Sequence, residues 1–579
     1  MDGQLRHRGV MTAAGALAGG ICYLLFEAVK RGALSGYPAL ALSTLALVFF
    51  AALLIMVGPT GLRRAALSAG GLALVVAGLA VLANLRFADD DGLFHSEMLV
   101  LAVLVLAFLP QPFLIAAAGP GWRDYPTLFS EAWSIVIRYA AAGLFVGLVW
   151  LLLMLCDQFL SMVGIGVIGW LVSSGPAMLL ISGAALGLAI AVIDEMADSM
   201  SPSLVLRLLR VLLPVVLAVL VLFLALLPVR GLDGLFGRLS AAATLLVMAG
   251  VSATLVTSAL DRSEAEQTRN ALVLRAAQAM ALLVPAPAAL AAWAVWVRVA
   301  QHGWTPDRVF AACAVVLGLG YGLLYLLAVL RGAGWTARVR QANVTMALVL
   351  IAMAAALLTP LLDPQAISVR SQLARLDDGS LAPEDFPAAE FARWGRAGEE
   401  ALTALRLRAA EPGQEMLAHV LQGAQQEWQE PDPVALRAEL VRLLPVQPPT
   451  AAPLRDRLLA ALDPSTLAMW RDACRTPIDD AGTPGCALIA ADFRPDLPGD
   501  EAMLFLWRPW DALEVTVHGW RGDERDERNA EPRDGDARPY GDAAKALLRA
   551  AQTEAAPHLV PVTVQALHLG GIDLVPRLP

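Results

Sequence analysis

The sequence lacks the short motifs that carry the commonest catalytic chemistries. It has no Gly-x-x-x-x-Gly-Lys-Ser/Thr loop to cradle phosphates, no Gly-x-Ser-x-Gly elbow and no His-Glu-x-x-His zinc pair. Motif-borne chemistry is therefore missing, although nucleophile and base can also come from distant positions. The seven histidines are scattered without pairing. No metal set and no cofactor-binding pattern emerges, so no catalytic residue is assigned. Charge is scarce, at 16% Asp, Glu, Lys and Arg, and almost none of it falls in the middle of an apolar run. No cleavable leader is evident. The first apolar run, Thr12 to Val29, has no clear small-residue cleavage site and more runs follow it.

What the chain has is apolar length. It is 57% hydrophobic over 579 residues, with a mean hydropathy of +0.61. The apolar residues cluster into runs of about twenty, the length that crosses a bilayer core. Eleven spans are expected, near 12–29, 38–58, 65–85, 97–118, 140–162, 168–193, 205–228, 239–260, 272–297, 309–330 and 342–362. The fold class is a polytopic all-α transmembrane bundle of 1–362, followed by a C-terminal α+β soluble domain of 363–579. With the N-terminus inside, the inner segments carry fourteen Lys or Arg and the outer loops seven. That bias favours N-in, and an odd span count then puts the C-terminal domain outside.

The two parts differ in charge. Residues 363–579 hold 35 acids and 22 bases, and residues 1–362 hold 17 and 21. An acidic soluble portion argues against a nucleic-acid partner, because phosphate binding needs a basic face. Residues 363–473 read as helices. Asp432-Pro433 and Asp463-Pro464 each offer an N-cap followed by proline at the first helical position. From 474 the pattern is mixed. "CALIAAD", "EAMLFLW" and "LEVTVHGW" read as strands, 521–539 as a charged disordered loop, 541–552 as a helix and 560–568 as a strand. Cys474 and Cys486, twelve apart around a turn, are expected to form a disulfide if this domain is periplasmic.

Three stretches carry a family resemblance. They are "EAWSIVIRYAAAGLFVGLVWLLLMLCDQFL" (131–160), "HGWTPDRVF" (302–310) and "LTPLLDPQAISVRSQLARL" (358–376). They resemble the bacterial membrane-protein family catalogued as domain of unknown function 4153, over roughly residues 130–400. The resemblance supports the membrane placement and supplies no catalytic position, and the expected location is the bacterial inner membrane.

Candidate sites divide into three kinds. Asp157 is the one carboxylate in Gly147–Gly166. It lies nineteen residues beyond Arg138, roughly 28 Å along a helix, which places it at the outer interface. Arg298, His302, Asp307 and Arg308 flank the ninth and tenth spans at the same depth, and with Asp157 they make a candidate polar cluster. In the plainer reading of "HGWTPDRV", Thr305 is an N-cap, Pro306 opens the helix and Asp307 faces its positive end. Broken helices are the second kind: Pro110, Gln111 and Pro112, Gly175 and Pro176, Pro214, and Pro285 and Pro287 interrupt spans. Such breaks build ion and substrate sites in transporters, but neighbouring helices also repair them routinely. The third kind is packing. Gly15/Gly19 and Gly183/Gly187 permit close helix approach, and Tyr321 and Tyr325 share a helix face. "DFRPDLPGDE" breaks the calcium-loop pattern and reads as a solvated acidic turn.

Three functional classes follow. The leading one is a non-enzymatic envelope scaffold or sensor with a periplasmic binding domain. The second is a transporter, which needs a polar cavity near the midplane lined by Gln111 and Gln278. The third is an enzyme acting on lipid-linked substrates, which needs charges converging at the outer interface. The lipid bilayer is the one expected partner, and the sequence names no protein or envelope partner.

Overall fold

The computed structural model describes residues 2–89, 92–161, 174–195, 203–230, 241–428, 432–479, 482–493, 499–508, 512–522, 524–532, 541–553, 558–561, 565–569 and 572–576. The chain divides into two compact units, Met1–Gly423 and Ala424–Pro579. Hydropathy ends at 362, but the first unit continues to Gly423, because several short helices fold back onto the span ends.

Among the described residues, eleven helical spans are long and apolar enough to cross a membrane. They are built from α1 (Asp2–Lys30), α2 (Gly36–Thr60), α3 (Leu62–Asn84), α4 (Glu97–Phe108), α5 (Gln111–Ala117), α6 (Tyr125–Ser161), α7 (Gly175–Glu195), α8 (Ser203–Arg230), α9 (Ala241–Leu260), α10 (Ala271–Leu283), α11 (Pro285–His302), α12 (Pro306–Leu330) and α13 (Trp335–Leu357). The fourth span is α4 plus α5, and the ninth is α10 plus α11. Each of these two breaks sits at a proline, which cannot donate to the helix ladder. Pro214 leaves α8 unbroken. Gly175 and Pro176 open α7, where a missing N–H is one of the helix's orphan donors anyway. The part of the sixth span expected at 168–173 lies outside the described residues.

The closest packing is between α1 and α7. A Cβ on Gly15 would stand 2.0 Å from the Gly183 carbonyl oxygen, and one on Gly187 would stand 2.1 Å from that of Met11. Only glycine fits there, so the two backbones touch, antiparallel. Arg8 pairs with Glu195 at 2.5 Å, locking the ends. Helices α1–α7 pack mainly among themselves, and α8–α13 do likewise. The two groups meet along a seam where α13 packs on α4. Leu99, Ala102, Leu106, Cys313, Ala354 and Leu357 are buried in that seam.

Short helices follow the last span: α14 (Pro364–Asp377), α15 (Ala388–Arg393), α16 (Gly395–Ala409) and α17 (Glu415–Trp428). Asp363 caps α14 by accepting from the Ala366 N–H at 3.0 Å.

The second unit is α+β. It contains β1 (Val446–Gln447), β2 (Cys486–Ala491), β3 (Glu501–Arg508), β4 (Ala512–Arg521), β5 (Glu524–Pro532), β6 (His558–Pro561), β7 (Gln565–Leu569) and β8 (Ile572–Pro576). The sheet order is β1-β2-β3-β4-β5-β8-β7-β6. Helices α18 (Pro433–Leu443), α19 (Ala452–Ala460) and α20 (Pro464–Arg475) cover one face, and α21 (Gly541–Thr553) covers the other. That explains the continuous apolar runs of β2 and β3, which are buried on both faces. Asp432 and Asp463 cap α18 and α20. Cys474 and Cys486 are disulfide-bonded, with an S–S distance of 2.02 Å.

Two expectations for the tail need correction. The segment 521–539 is not simply a disordered loop, because Glu524–Pro532 is strand β5, paired antiparallel with β4. Backbone hydrogen bonds hold it, and its charges pair on the surface, Arg525 with Glu527 and Arg528 with Asp526. Residues 533–539 lie outside the described residues. In the acidic turn, Glu501 is not solvated. It is buried in β3 and accepts from the Phe493 N–H at 2.8 Å. Buried beside β5, His518 is held neutral, its pKa pushed down to about 3 chiefly by burial. The Glu527 carboxylate, 3.8 Å from the ring, is too far for a hydrogen bond and is itself paired with Arg525.

Candidate functional site: a juxtamembrane cavity on the helix seam

One end of the seam opens into a cavity of about 560 Å³. It is walled by the turn before α4, the start of α12, the end of α13 and the helices after it. These are the ends that eleven alternating crossings would bring to one side. Each wall has a local cause. Asn84, fully buried, accepts from the Leu93 N–H at 2.8 Å and so folds the turn that presents His95, Ser96 and Glu97. Gly303 ends α11 at φ +72°. A Cβ there would lie 2.8 Å from Gln372 Nε2 and 2.7 Å from Arg375 Cδ. Thr305 then caps α12, accepting from the Arg308 N–H at 3.4 Å, with Pro306 in the first turn.

The turn between α11 and α12 is held by cationic and amide donors, which suit the negative end of a helix. Arg308 donates to the carbonyls of His302 at 3.2 Å and Gly303 at 2.7 Å. From α14, Gln372 donates to the carbonyls of His302 and Trp304, both at 2.9 Å, and Arg375 to that of Gln301 at 2.9 Å. Two of the three stretches that carry the family resemblance, 302–310 and 358–376, are thus bonded to each other here. Arg86, 8% exposed, anchors the same end. Its guanidinium donates to the Thr359 carbonyl at 2.5 Å, and its Nε lies 3.4 Å from Asp363. Burial lowers the Arg86 pKa against the pull of Asp363.

The lining combines both signs of charge. Glu97, Asp307 and Glu390 supply carboxylates, and Arg308 and Arg393 supply guanidiniums. The floor is apolar, made by Leu99, Phe310 and Leu357, and Trp394 forms a wall. Gln365 is 5% exposed, and its Oε1 has no hydrogen-bond partner among the described residues. A buried acceptor without a donor is uncommon in a folded protein. Among the described residues, no three His, Cys, Asp or Glu side chains cluster as a metal site. The arrangement can bind a polar molecule through several charge-assisted contacts.

Of the residues singled out in the sequence, Asp307 and Arg308 line this cavity. Arg298 and His302 stand exposed on α11 beside it. Asp157 is half-buried near the end of α6 and makes no ion pair with the others among the described residues. Gln111 is fully buried and donates to the Ala107 carbonyl at 2.8 Å, across the break it follows. Sequence reading missed Glu97, Gln365, Glu390 and Arg393. Glu97 and Gln365 come from separate segments, Glu390 and Arg393 share α15, and no spacing rule links the three segments.

A family model described as "Domain of unknown function (DUF4153)" matches residues 39–386. The chain belongs to that family. The match takes in all three resembling stretches and every charged residue of the cavity except Glu390 and Arg393. No curated protein and no solved structure matches the chain.

A second cavity, of about 400 Å³, lies farther along the same seam. Leu109 and Pro112 at the α4–α5 break, the start of α6, and the middles of α9, α12 and α13 surround it. None of its lining residues is charged.

Proposed function

We propose that this protein is a non-enzymatic binding protein of the bacterial inner membrane, a sensor or scaffold, with its N-terminus in the cytoplasm and its tail in the periplasm. In this reading the juxtamembrane cavity receives a zwitterionic phospholipid headgroup. The carrying observation is the lining: guanidiniums and carboxylates above an apolar floor, with the Gln365 Oε1 buried and unpartnered. Guanidiniums bind phosphate through paired, charge-assisted hydrogen bonds. The carboxylates suit an ammonium, and the floor suits the first methylenes of the tails. The sidedness rests on the bias of positive residues and on the Cys474–Cys486 bridge, which persists in an oxidising compartment.

The test compares full-length protein in nanodiscs of phosphatidylethanolamine and of phosphatidylglycerol. The zwitterionic lipid should raise the melting temperature more. The paired substitution Arg393→Gln with Glu97→Gln should erase that difference. Equal melting temperatures in the two lipids would sink the headgroup reading. Reporters fused to Pro579, active on one side of the membrane only, test the topology independently.

A transport reading has one observation in its favour: two cavities of opposite character share one seam between two helical groups. Transbilayer movement of headgroup-labelled lipid in proteoliposomes would support it, and its absence would remove it.

A further inference from the structure

The uncharged cavity on the seam holds an incomplete hydrogen-bond network. Tyr325, fully buried, donates to Asn343 Oδ1 at 2.5 Å. Thr257 Oγ1 lies 2.9 Å from the Tyr325 hydroxyl and 2.9 Å from the Ala253 carbonyl. Asn343 Nδ2 donates to Thr257 at 3.3 Å and to the Tyr125 hydroxyl at 3.1 Å. A phenol has one proton to give. That of Tyr325 goes to Asn343. Tyr125 only accepts within the network, so its proton has no acceptor among the described residues. Tyr321, whose ring meets that of Tyr325 edge-on at 5.9 Å, has no hydrogen bond among the described residues. Two unused O–H donors therefore sit in the lining of one cavity. The rest of the wall is apolar and aromatic, with Phe113, Phe129 and Trp133. The volume, about 400 Å³, lies within the range of small-molecule sites.

We infer that this cavity binds an uncharged, lipid-soluble molecule through a carbonyl oxygen, which accepts from Tyr125 and Tyr321. A charged ligand finds no counter-ion in the lining. A pure hydrocarbon leaves both hydroxyls unpaired. A ketone or quinone ring and a glyceride ester share the required chemistry, an acceptor oxygen on an apolar body. Entry is from the lipid side, where Gly250 and Thr254 on α9 border the cavity and are exposed. This inference does not depend on the headgroup reading, because none of the charged residues is involved.

The experiment measures probe binding to the detergent-solubilised full chain. Menadione represents the quinone arm, dioctanoylglycerol the ester arm, and 2-methylnaphthalene is the carbonyl-free control. At least one carbonyl probe should bind, and which one does identifies the source of the carbonyl. The control should bind at least tenfold more weakly. Tyr125→Phe with Tyr321→Phe should weaken the bound probe about tenfold or more. Gly250→Trp should abolish binding. A Cβ at Gly250 meets nothing within 4 Å, so the ring is accommodated at the cavity mouth without a backbone clash, and Thr254→Trp serves as a second plug. Glu97→Gln should leave binding unchanged. The inference is overturned if neither carbonyl probe binds, if 2-methylnaphthalene binds equally well, if the double phenylalanine variant binds normally, or if both plugged variants retain binding.

Discussion

The two cavities lie on the same seam and draw on the same three spans, yet they share no chemistry. On α12 the wall passes from Thr305, Asp307 and Arg308 at the first turn to Gly318, Tyr321 and Tyr325 farther on. On the fourth span it passes from Glu97 to Leu109, a rise of about 18 Å. Ala102, Leu106, Cys313 and Ala354 pack the interval between. The difference follows from access to water. Charges are cheap to keep at a span end, where their remaining bonding capacity can be met by solvent or headgroups. In the lining of the inner cavity the side-chain oxygens belong to hydroxyls and one carboxamide, and most of them pair with each other. The polar cavity is thus built to be entered by charge, and the inner one to exclude it.

The sharpest way to break this contrast is to put the wrong chemistry in each cavity. Ala253→Asp places a carboxylate in the uncharged lining and should cost at least about 3 kcal/mol, read as a lower melting temperature in detergent. Met98→Asp, in the polar cavity, should change stability by less than about 0.5 kcal/mol. Equal losses would mean that the two cavities do not differ in polarity as described. Arg86→Met strips the half-buried Asp363 carboxylate of its cation and the Thr359 carbonyl of a donor, and should cost about 2 kcal/mol. Adding Asp363→Asn, which keeps the helix cap, should recover part of that loss in a double-mutant cycle, and simple additivity would show that the pair does not interact. Tyr325→Phe leaves Asn343 Oδ1 without its donor and should cost about 1–2 kcal/mol by thermal unfolding. The smallest effect belongs to Arg393→Gln with Glu97→Gln, which should leave the ligand-free stability within the ~0.5 kcal/mol expected of surface changes. A large loss there would make these residues structural.

Much of the fold was legible because membrane spans announce themselves by length. All eleven runs correspond to helices, and the prolines at 110, 112, 285 and 287 mark the two broken spans. The caps Asp432, Asp463 and Thr305 were readable because a cap is a local device. The glycine pairs at 15/19 and 183/187 were readable as packing positions, although nothing in the sequence says that they meet each other. Strand β5 was not legible, since its pairing is carried by backbone groups and its side chains are those of a solvated loop. Of the polar cavity, Asp307 and Arg308 stood out because their turn is distinctive. Glu390, Arg393 and Gln365 became part of it only when the chain folded back after the last span. The inner cavity was illegible for a subtler reason. Tyr321 and Tyr325 were assigned to packing, and one of them does pack fully, but a free hydroxyl is visible only once every neighbour's proton has been counted.

The backbone contact between the first and sixth spans has a consequence for biosynthesis. Residues 11–19 can find their fit only against residues 179–187, so α1 enters the membrane long before its partner exists. At a synthesis rate of about 5–20 residues per second, the interval is on the order of ten seconds. During that time the glycine face of α1 waits in the bilayer without its partner, and the arginine at position 8 waits for Glu195. Assembly of the N-terminal half is therefore timed by the emergence of α7, and a nascent chain stalled before Gly175 should leave α1 exposed to whatever quality-control machinery reads unpaired helices.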